Sequence, residues 1–518
     1  MADDKAWHQL AKLAARHMGT GQRRLPSEWK TRAAVVEHDG IEVDISRQYL
    51  DEETLDGLEK LAIDRRIEAW RDAMIEGSVV NASEQRQVLH IAQRDPETAL
   101  AKETLAAMAA VCTSMLASGV EDIVCIGIGG SNLGPAMVVE ALRPWHQGPM
   151  VHFVSNVDFT HLADTLEMLI PATTGFVIIS KAFSTVETRR NAETARDWLV
   201  AGGVRPADAI YAVTSNPEAA VSFGIARDAV LTMHDAVGGR FSLWSAVGIG
   251  IMAAIGEDGF NALLAGAHSM DGHFTDAPLM RNMPILLGML RVWNRSFLGI
   301  SGQAVIPYDQ RLNQLPAWLQ QLEMESNGKQ LDHAGRACGW KTAGVVFGAA
   351  GSNAQHSFFQ QFHQGSEPVA IDFLAGLAPP EASLMLAGGE DQLLASRRDH
   401  HRLLLTSMLA QADTLADGAQ GRGFPGGRPS SLITWQQTTP YSLGQLLALY
   451  EHVTVVSGWL WQINSFDQPG VELGKSLAQD YINLLDRSRT EAGLQDQRLS
   501  ASSRRLLQRV ANTTGKQN

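Results

Sequence analysis

Cysteine is scarce in this chain, with only Cys112, Cys125 and Cys338 among 518 residues. Their number is odd, they lie far apart and no CxxC pair occurs, which excludes a disulfide framework. They read as buried thiols of a reducing compartment. Long apolar runs are also missing. The most apolar stretch, LWSAVGIGIMAAIG at 243–256, is 14 residues long, against about 20 for a bilayer helix. The start, MADDKAWHQLAKLAARHMG, carries early acids and no continuous apolar core, so it is not read as a signal peptide. Positive charge is the minority: 43 Lys and Arg against 56 Asp and Glu give a net charge of −13. A broad surface for nucleic acid or anionic membrane is therefore not expected. Neither His400-His401 nor the His356/His363 pair has a carboxylate or thiol at ligand spacing, so no metal is expected. The location expected is cytoplasmic. An anionic ligand would have to be held by a few placed cations or backbone N–H groups.

Hydrophobic patterning supplies the organisation. Residues 1–120 look mainly helical. Short β-rich runs then appear at DIVCIGI (122–128), MVHFVSN (150–156), GFVIIS (175–180) and AIYAVTS (209–215), separated by helix-like stretches. Runs without strict alternation fit strands buried on both faces of a parallel sheet, so the class is α/β. Helical periodicity returns from 243 to 325. A second strand set follows at TAGVVFG (342–348), PVAIDFL (368–374) and SSLITWQ (430–436). DGAQGRGFPGGRPS (417–430) is a Gly-rich loop, and the segment from Arg487 is a basic tail with one helix.

Two loops could hold an anion. GIGGSNLGP (127–135) leads from a strand to a helix, but Asn132 stands where the dinucleotide fingerprint needs glycine. The loop reads equally as a phosphate or sugar turn and as a tight βα turn. In SKAFSTVET (180–188), Ser180, Ser184 and Thr185 supply hydroxyls and Lys181 a charge, just before a helix. Ser184-x-x-Glu187 is also a capping box, and a cap and an anion site use the same helix end. GGRFSLWS (238–245) sets Arg240 after two glycines, a flexible approach that can aim a guanidinium inward.

LEMESNGKQ (322–330) poses a different question. Asn327-Gly328 looks like a left-handed helix stop, which puts Glu325 in a last turn with Glu323 close by. The helix dipole disfavours a carboxylate there. An exposed glutamate tolerates this at little cost, whereas a general base gains from a raised pKa.

Together these stretches resemble the glucose-6-phosphate isomerase (phosphoglucose isomerase) family. IGIGGSNLGP (126–135), SKAFSTVET, GGRFSLWS, QQLEMESNGK (320–329), SNAQH (352–356) and INSFDQPGVELGK (463–475) are similar to family signatures, in the family's order. NASEQRQVLHIAQR (81–94) looks like its N-terminal helix. The resemblance implies two sugar-isomerase-type (SIS) domains with parallel sheets flanked by helices. The divisions expected are a helical N-terminal region (1–120) packing on the large domain, a small SIS domain (121–270), a large SIS domain (271–485) and a tail (486–518). It implies interconversion of glucose 6-phosphate and fructose 6-phosphate without a cofactor, by a homodimer. Glu325 would move a proton between C2 and C1 and Arg240 would stabilise the enediolate. His356, from the neighbouring subunit, would open the sugar ring with help from Lys475. Ser180, Lys181, Ser184 and Thr185 would hold the phosphate, with Gly130, Ser131, Gln321 and Gln468 lining the site.

The chain departs from the family pattern at Ala182, where Thr is usual, and at Val186, Ala354 and Pro469. The first removes a hydroxyl from the phosphate loop. A nucleotide-dependent oxidoreductase is opposed by Asn132. A non-enzymatic sugar-phosphate sensor would not need Glu325, Arg240, His356 and Lys475 together.

Overall fold

The first strands of the computed structural model fall inside the region expected to be helical. β1 (Val35–His38) and β2 (Ile41–Asp44) pair antiparallel. They turn at Asp39-Gly40, both with positive φ, 48° and 83°. Asp-Gly is the residue pair that such a two-residue hairpin demands. Ile41 and Val43 point into the core while Glu42 and Asp44 do not, the period of a half-buried strand. The residues described are 5–18, 25–31, 33–379, 390–419, 422–487 and 499–514.

β3 (Asp122–Ile126), β4 (Met150–Val154), β5 (Thr174–Ile179), β6 (Ile210–Thr214) and β7 (Val230–Thr232) form a parallel sheet in the order β4-β3-β5-β6-β7. Four of the five follow the apolar runs read from the sequence. β8 (Gly302–Pro307), β9 (Val345–Gly348), β10 (Val369–Gly376) and β11 (Ser430–Trp435) make the second sheet. Its order is β1-β2-β11-β10-β8-β9, with β2 antiparallel to β11 and the rest of the joins parallel beyond it. β8 lies within the stretch read as helical from 243 to 325. A six-residue apolar run between helices carries no period of its own.

The parallel part of each sheet starts at an inner strand, β3 or β8, adds a strand on one side, then crosses to the other. In the first, this reversal sets the carboxyl ends of β3 and β5 side by side, the usual place for a ligand crevice in an open α/β sheet.

The long helices Ile249–Asp276 and Pro440–Trp461 run through the core, and every residue from Leu443 to Trp461 is buried. A Cβ at Gly266 would stand 1.8 Å from the Tyr441 carbonyl oxygen, and one at Gly444 2.0 Å from that of Leu263. The two helices therefore touch backbone to backbone. Ala99–Ala117 and Ala246–Asp276 have the length and composition of membrane spans; 61% of the second's apolar window is buried within the protein, 22% of the first's.

Met1–Phe466 is one compact unit and Asp467–Asn518 another. The second contains helices Pro469–Arg487 and Ala501–Thr514, with Tyr481, Leu484, Leu485, Leu499 and Leu507 between them. The helix expected in the tail is there. The tail's 488–498 and 515–518, and 420–421 of the Gly-rich loop, lie outside the described residues.

One core contact gives the fold a pH dependence. Met283 N–H, at the start of the Met283–Val292 helix, donates to His273 Nε2 at 3.0 Å. That nitrogen must be unprotonated. Burial, with smaller pushes from His38 and His452, lowers His273 from 6.5 to about 4. The unfolded chain therefore takes up this proton first. The contribution is complete above about pH 6.5 and is lost as pH falls towards 4. The midpoint of urea unfolding should drop between pH 7 and 4.5, and His273→Gln should show a shallower drop over the same window. Equal slopes for the two proteins would remove His273 from the account.

Candidate active site

At the end of β3 the chain makes a short 3₁₀ turn, Gly129–Ser131, before the helix Leu133–Ala141. A Cβ at Gly130 would lie 1.9 Å from the Gly239 carbonyl oxygen. The glycine therefore lets this turn lie against the turn Gly239–Phe241 that carries Arg240. On its other side, a Cβ at Gly129 would be 3.0 Å from Gln321 Nε2. Gln321 Oε1 is buried without a hydrogen-bond partner among the described residues.

The loop after β5 lies beside it. Ser180 is buried and its Oγ donates to Thr185 Oγ1 at 3.3 Å. Lys181 Nζ donates to the Asp235 carbonyl at 2.8 Å, which ties this loop to the approach to Gly238. Burial lowers the Lys181 ammonium below its ordinary value, with Asp235 opposing. Phe183 has φ 55°, unusual for a bulky residue, and packs edge-on to Phe223. The capping box expected at Ser184 and Glu187 does not form. Thr185 is the N-cap of the helix Val186–Ala201, and its side chain makes no cap bond. The first-turn N–H groups thus have no side-chain cap, and Ser184 and Ala182 beside them are exposed.

Arg240 is 3% exposed. Its Nε donates to Ser326 Oγ at 2.6 Å and its Nη2 to the Ser465 carbonyl at 2.5 Å. Nη1 stands 3.7 Å from Glu325 Oε2. Asn327 secures the same corner, donating to the Thr454 carbonyl at 2.8 Å and accepting from Ser465 Oγ at 2.7 Å. Neither Asn327 nor Gly328 has a positive φ, so the left-handed stop read from the sequence is not made. Instead Gln320–Glu325 forms a π-helical turn, and Ser326 follows it in helical geometry.

Gly130, Arg240, Gln321 and Glu325 are thus brought together, with Ser131, Ser180, Lys181, Ser184 and Thr185 on the neighbouring loops. His356 is exposed at the end of the short helix Gly351–Gln355, and its side chain has no hydrogen bond or ion pair among the described residues. Gln468 and Lys475 belong to the second unit, and the side chain of Lys475 lies outside the described set. Sequence reasoning missed Ser326, Asn327 and Ser465, which fix the arginine. The signal was present in ESN and INS, but only tertiary contact gives those residues a task. Among the described residues, no group of three or more His, Cys, Asp and Glu is placed to hold a metal.

The phosphoglucose isomerase family profile matches residues 44–502. Glucose-6-phosphate isomerase of Methylibium petroleiphilum is 44% identical over 480 residues, 86% of this chain and 87% of that protein. The enzyme of Xanthobacter autotrophicus is 43% identical, covering 85% and 86%. The crystal structure of a glucose-6-phosphate isomerase from Chlamydia trachomatis superposes with a TM-score of 0.84 at 31% identity, covering 99% of each chain. With the profile spanning most of its length and relatives this similar over nearly all of theirs, the chain belongs to the phosphoglucose isomerase family.

Proposed function

We propose that this enzyme, which interconverts glucose 6-phosphate and fructose 6-phosphate, uses Glu325 as its base and Arg240 as its fixed positive charge. The observation that carries this is the 3.7 Å approach of Arg240 Nη1 to Glu325 Oε2, with Arg240 anchored on Ser326 and Ser465. The carboxylate takes the proton from C2 of the open-chain aldose. The C2–H electrons form a C1–C2 double bond, and the carbonyl oxygen gains a proton to complete the cis-enediol. Return of the proton to C1 and loss of one from O2 gives the ketose. Negative charge developing on the oxygens is met by a guanidinium that need not move, so the stabilisation requires no reorganisation.

The phosphate binds at the start of the helix Val186–Ala201, where uncapped N–H groups and the helix dipole join Ser180, Lys181, Ser184 and Thr185. Gly130, Ser131 and Gln321 line the sugar, and the buried Gln321 Oε1 is an acceptor for one of its hydroxyls. Gln468 completes the lining, and His356 of a second copy opens the ring with Lys475. The enzyme is in this reading a cytoplasmic homodimer.

Glu325→Gln should retain substrate binding and lose about 10²–10⁴-fold in kcat, the range for a positioned acid–base group. Turnover within a few-fold of wild type would rule Glu325 out as the base. Ala182 is exposed, so Ala182→Thr has room to restore a phosphate donor. It should lower KM and leave kcat unchanged, because phosphate contacts persist into the transition state. An unchanged KM would show that the loop already has another partner.

The shared site has its own test. Glu325→Gln and His356→Ala homodimers should each be nearly inactive. In a mixed dimer one site has lost both groups and the other has both. Random pairing makes half the dimers mixed, so activity should return to about a quarter of wild type. No recovery after confirmed subunit exchange would put both groups in one chain's site.

A further inference from the structure

The turn that presents Glu325 is π-helical, a geometry that is rare and occurs mostly as single turns at functional sites. Residues two apart in such a turn leave it on nearly opposite sides. Glu325 faces Arg240, while Glu323 points into the core, where its side chain is 10% exposed. There it accepts from Arg291 Nη2 at 3.4 Å. Arg291 comes from the helix Met283–Val292 and is also bound to Asp372 on β10, with Nη2 to Oδ2 at 2.7 Å and Nη1 to Oδ1 at 3.4 Å. Tyr450 of the central helix donates to the same Asp372 oxygen at 3.1 Å. The second sheet and two core helices thus converge on the Arg291–Asp372 pair, and Glu323 joins that pair through Arg291.

Glu323 is also joined to the other side of the site. Its carbonyl accepts the Ser326 N–H, and Ser326 Oγ receives Arg240 Nε. A shift of Glu323 would therefore move both Glu325 and a ligand of Arg240. We infer that the buried Arg291–Glu323 ion pair is a positioning device that holds the π-turn, and with it the Glu325 carboxylate, in register with Arg240. This rests on Glu325 being the base.

The charges favour a clean test. One guanidinium serves two carboxylates, so removing Glu323 leaves Arg291 and Asp372 as a balanced pair rather than an unpaired buried charge. Glu323→Leu should therefore fold. Freed from its anchor, the turn should misplace Glu325 by a fraction of an ångström to about 1 Å, which costs about 10–100-fold in kcat. KM should stay within about two-fold, because the phosphate loop is untouched. Proton transfer should also become more rate-limiting, so the deuterium isotope effect on kcat with C2-deuterated glucose 6-phosphate should rise. Glu323→Gln, which keeps an acceptor for Arg291, should recover most of the loss. Arg291→Lys, whose single ammonium cannot fork to both carboxylates, should reproduce it.

The measurements are kcat, KM, isotope effect and thermal midpoint for these variants and for Glu325→Gln. Wild-type kcat and isotope effect in Glu323→Leu would overturn the inference, as would a kcat loss proportional to the unfolded fraction. Should Glu323→Leu fail to fold, a wild-type isotope effect in Arg291→Lys would overturn it alone. An active Glu325→Gln would instead sink the assignment of the base, so the two failures are told apart.

Discussion

The site depends on keeping one buried guanidinium in place. Arg240 is held by the side chain just after the π-turn and a carbonyl near the end of the first unit, and it lies beside the Glu325 carboxylate. A buried cation with fewer acceptors would cost several kcal/mol. Satisfying it forces Ser326, Ser465 and the GGRFSLWS turn into a single arrangement. A glycine in the β3 loop matters for the same reason. Only without a side chain at Gly130 can the β3 loop approach the Gly239 carbonyl closely enough to share the pocket.

A second layer of charge fixes this first one. Trp244, four residues after Arg240, donates to both oxygens of Glu451 at 2.9 and 3.0 Å. Glu451 also receives Arg94, which forks onto Asp271 at 2.7 and 2.6 Å, and His452 bonds to Asp271 at 2.7 Å. The arithmetic matches the Arg291 cluster: one arginine, two carboxylates, at most a tenth of any side chain exposed. Burial pushes Glu451 up to about 7 against the pull of Arg94 and Trp244. Burial acts on Asp271 too, but Arg94 and His452 outweigh it and hold it at about 2. Burial likewise raises Glu323 above its ordinary value. In both clusters the surplus charge falls on the glutamate, and the aspartate keeps the fork.

What the sequence disclosed follows from the range of the forces involved. Strands buried on both faces announce themselves as apolar runs, so β3, β5, β6, β10 and β11 were legible, and the partly exposed edge strands β4 and β9 carry apolar runs as well. The Asp39-Gly40 hairpin was also readable, because the turn needs positive φ at both positions, but it was passed over among helical neighbours. β8 was not readable, since a short apolar run is strand or helix according to what it packs against. The GIGGSNLGP, SKAFSTVET and GGRFSLWS loops stood out in the sequence because each is a local cluster of glycines, hydroxyls or a cation. The capping box at Ser184 failed because the helix starts one residue later, with Thr185 at the cap position. The stop at Asn327-Gly328 failed because tertiary bonds decide there: Asn327 bonds to Thr454 and Ser465. Glu323 looked like a second charge crowding Glu325 and proved to be its opposite face.

The acidic balance of the chain gains meaning from these distances. A net charge of −13 repels a sugar phosphate at long range, but screening limits that field to about 8 Å in physiological salt. Capture must then come from groups within a few ångströms. Lys181, the cation of the SKAFSTVET loop, already donates to the Asp235 carbonyl and has its charged form disfavoured by burial. In the proposed phosphate loop, recognition would then lean on backbone N–H groups and hydroxyls more than on formal charge. Such donors recognise the shape of a phosphate and do not neutralise it, and an exposed loop can release its product as readily as it binds substrate. For a reaction run in both directions, a phosphate site that is specific without being strongly cationic suits the chemistry at Glu325 and Arg240.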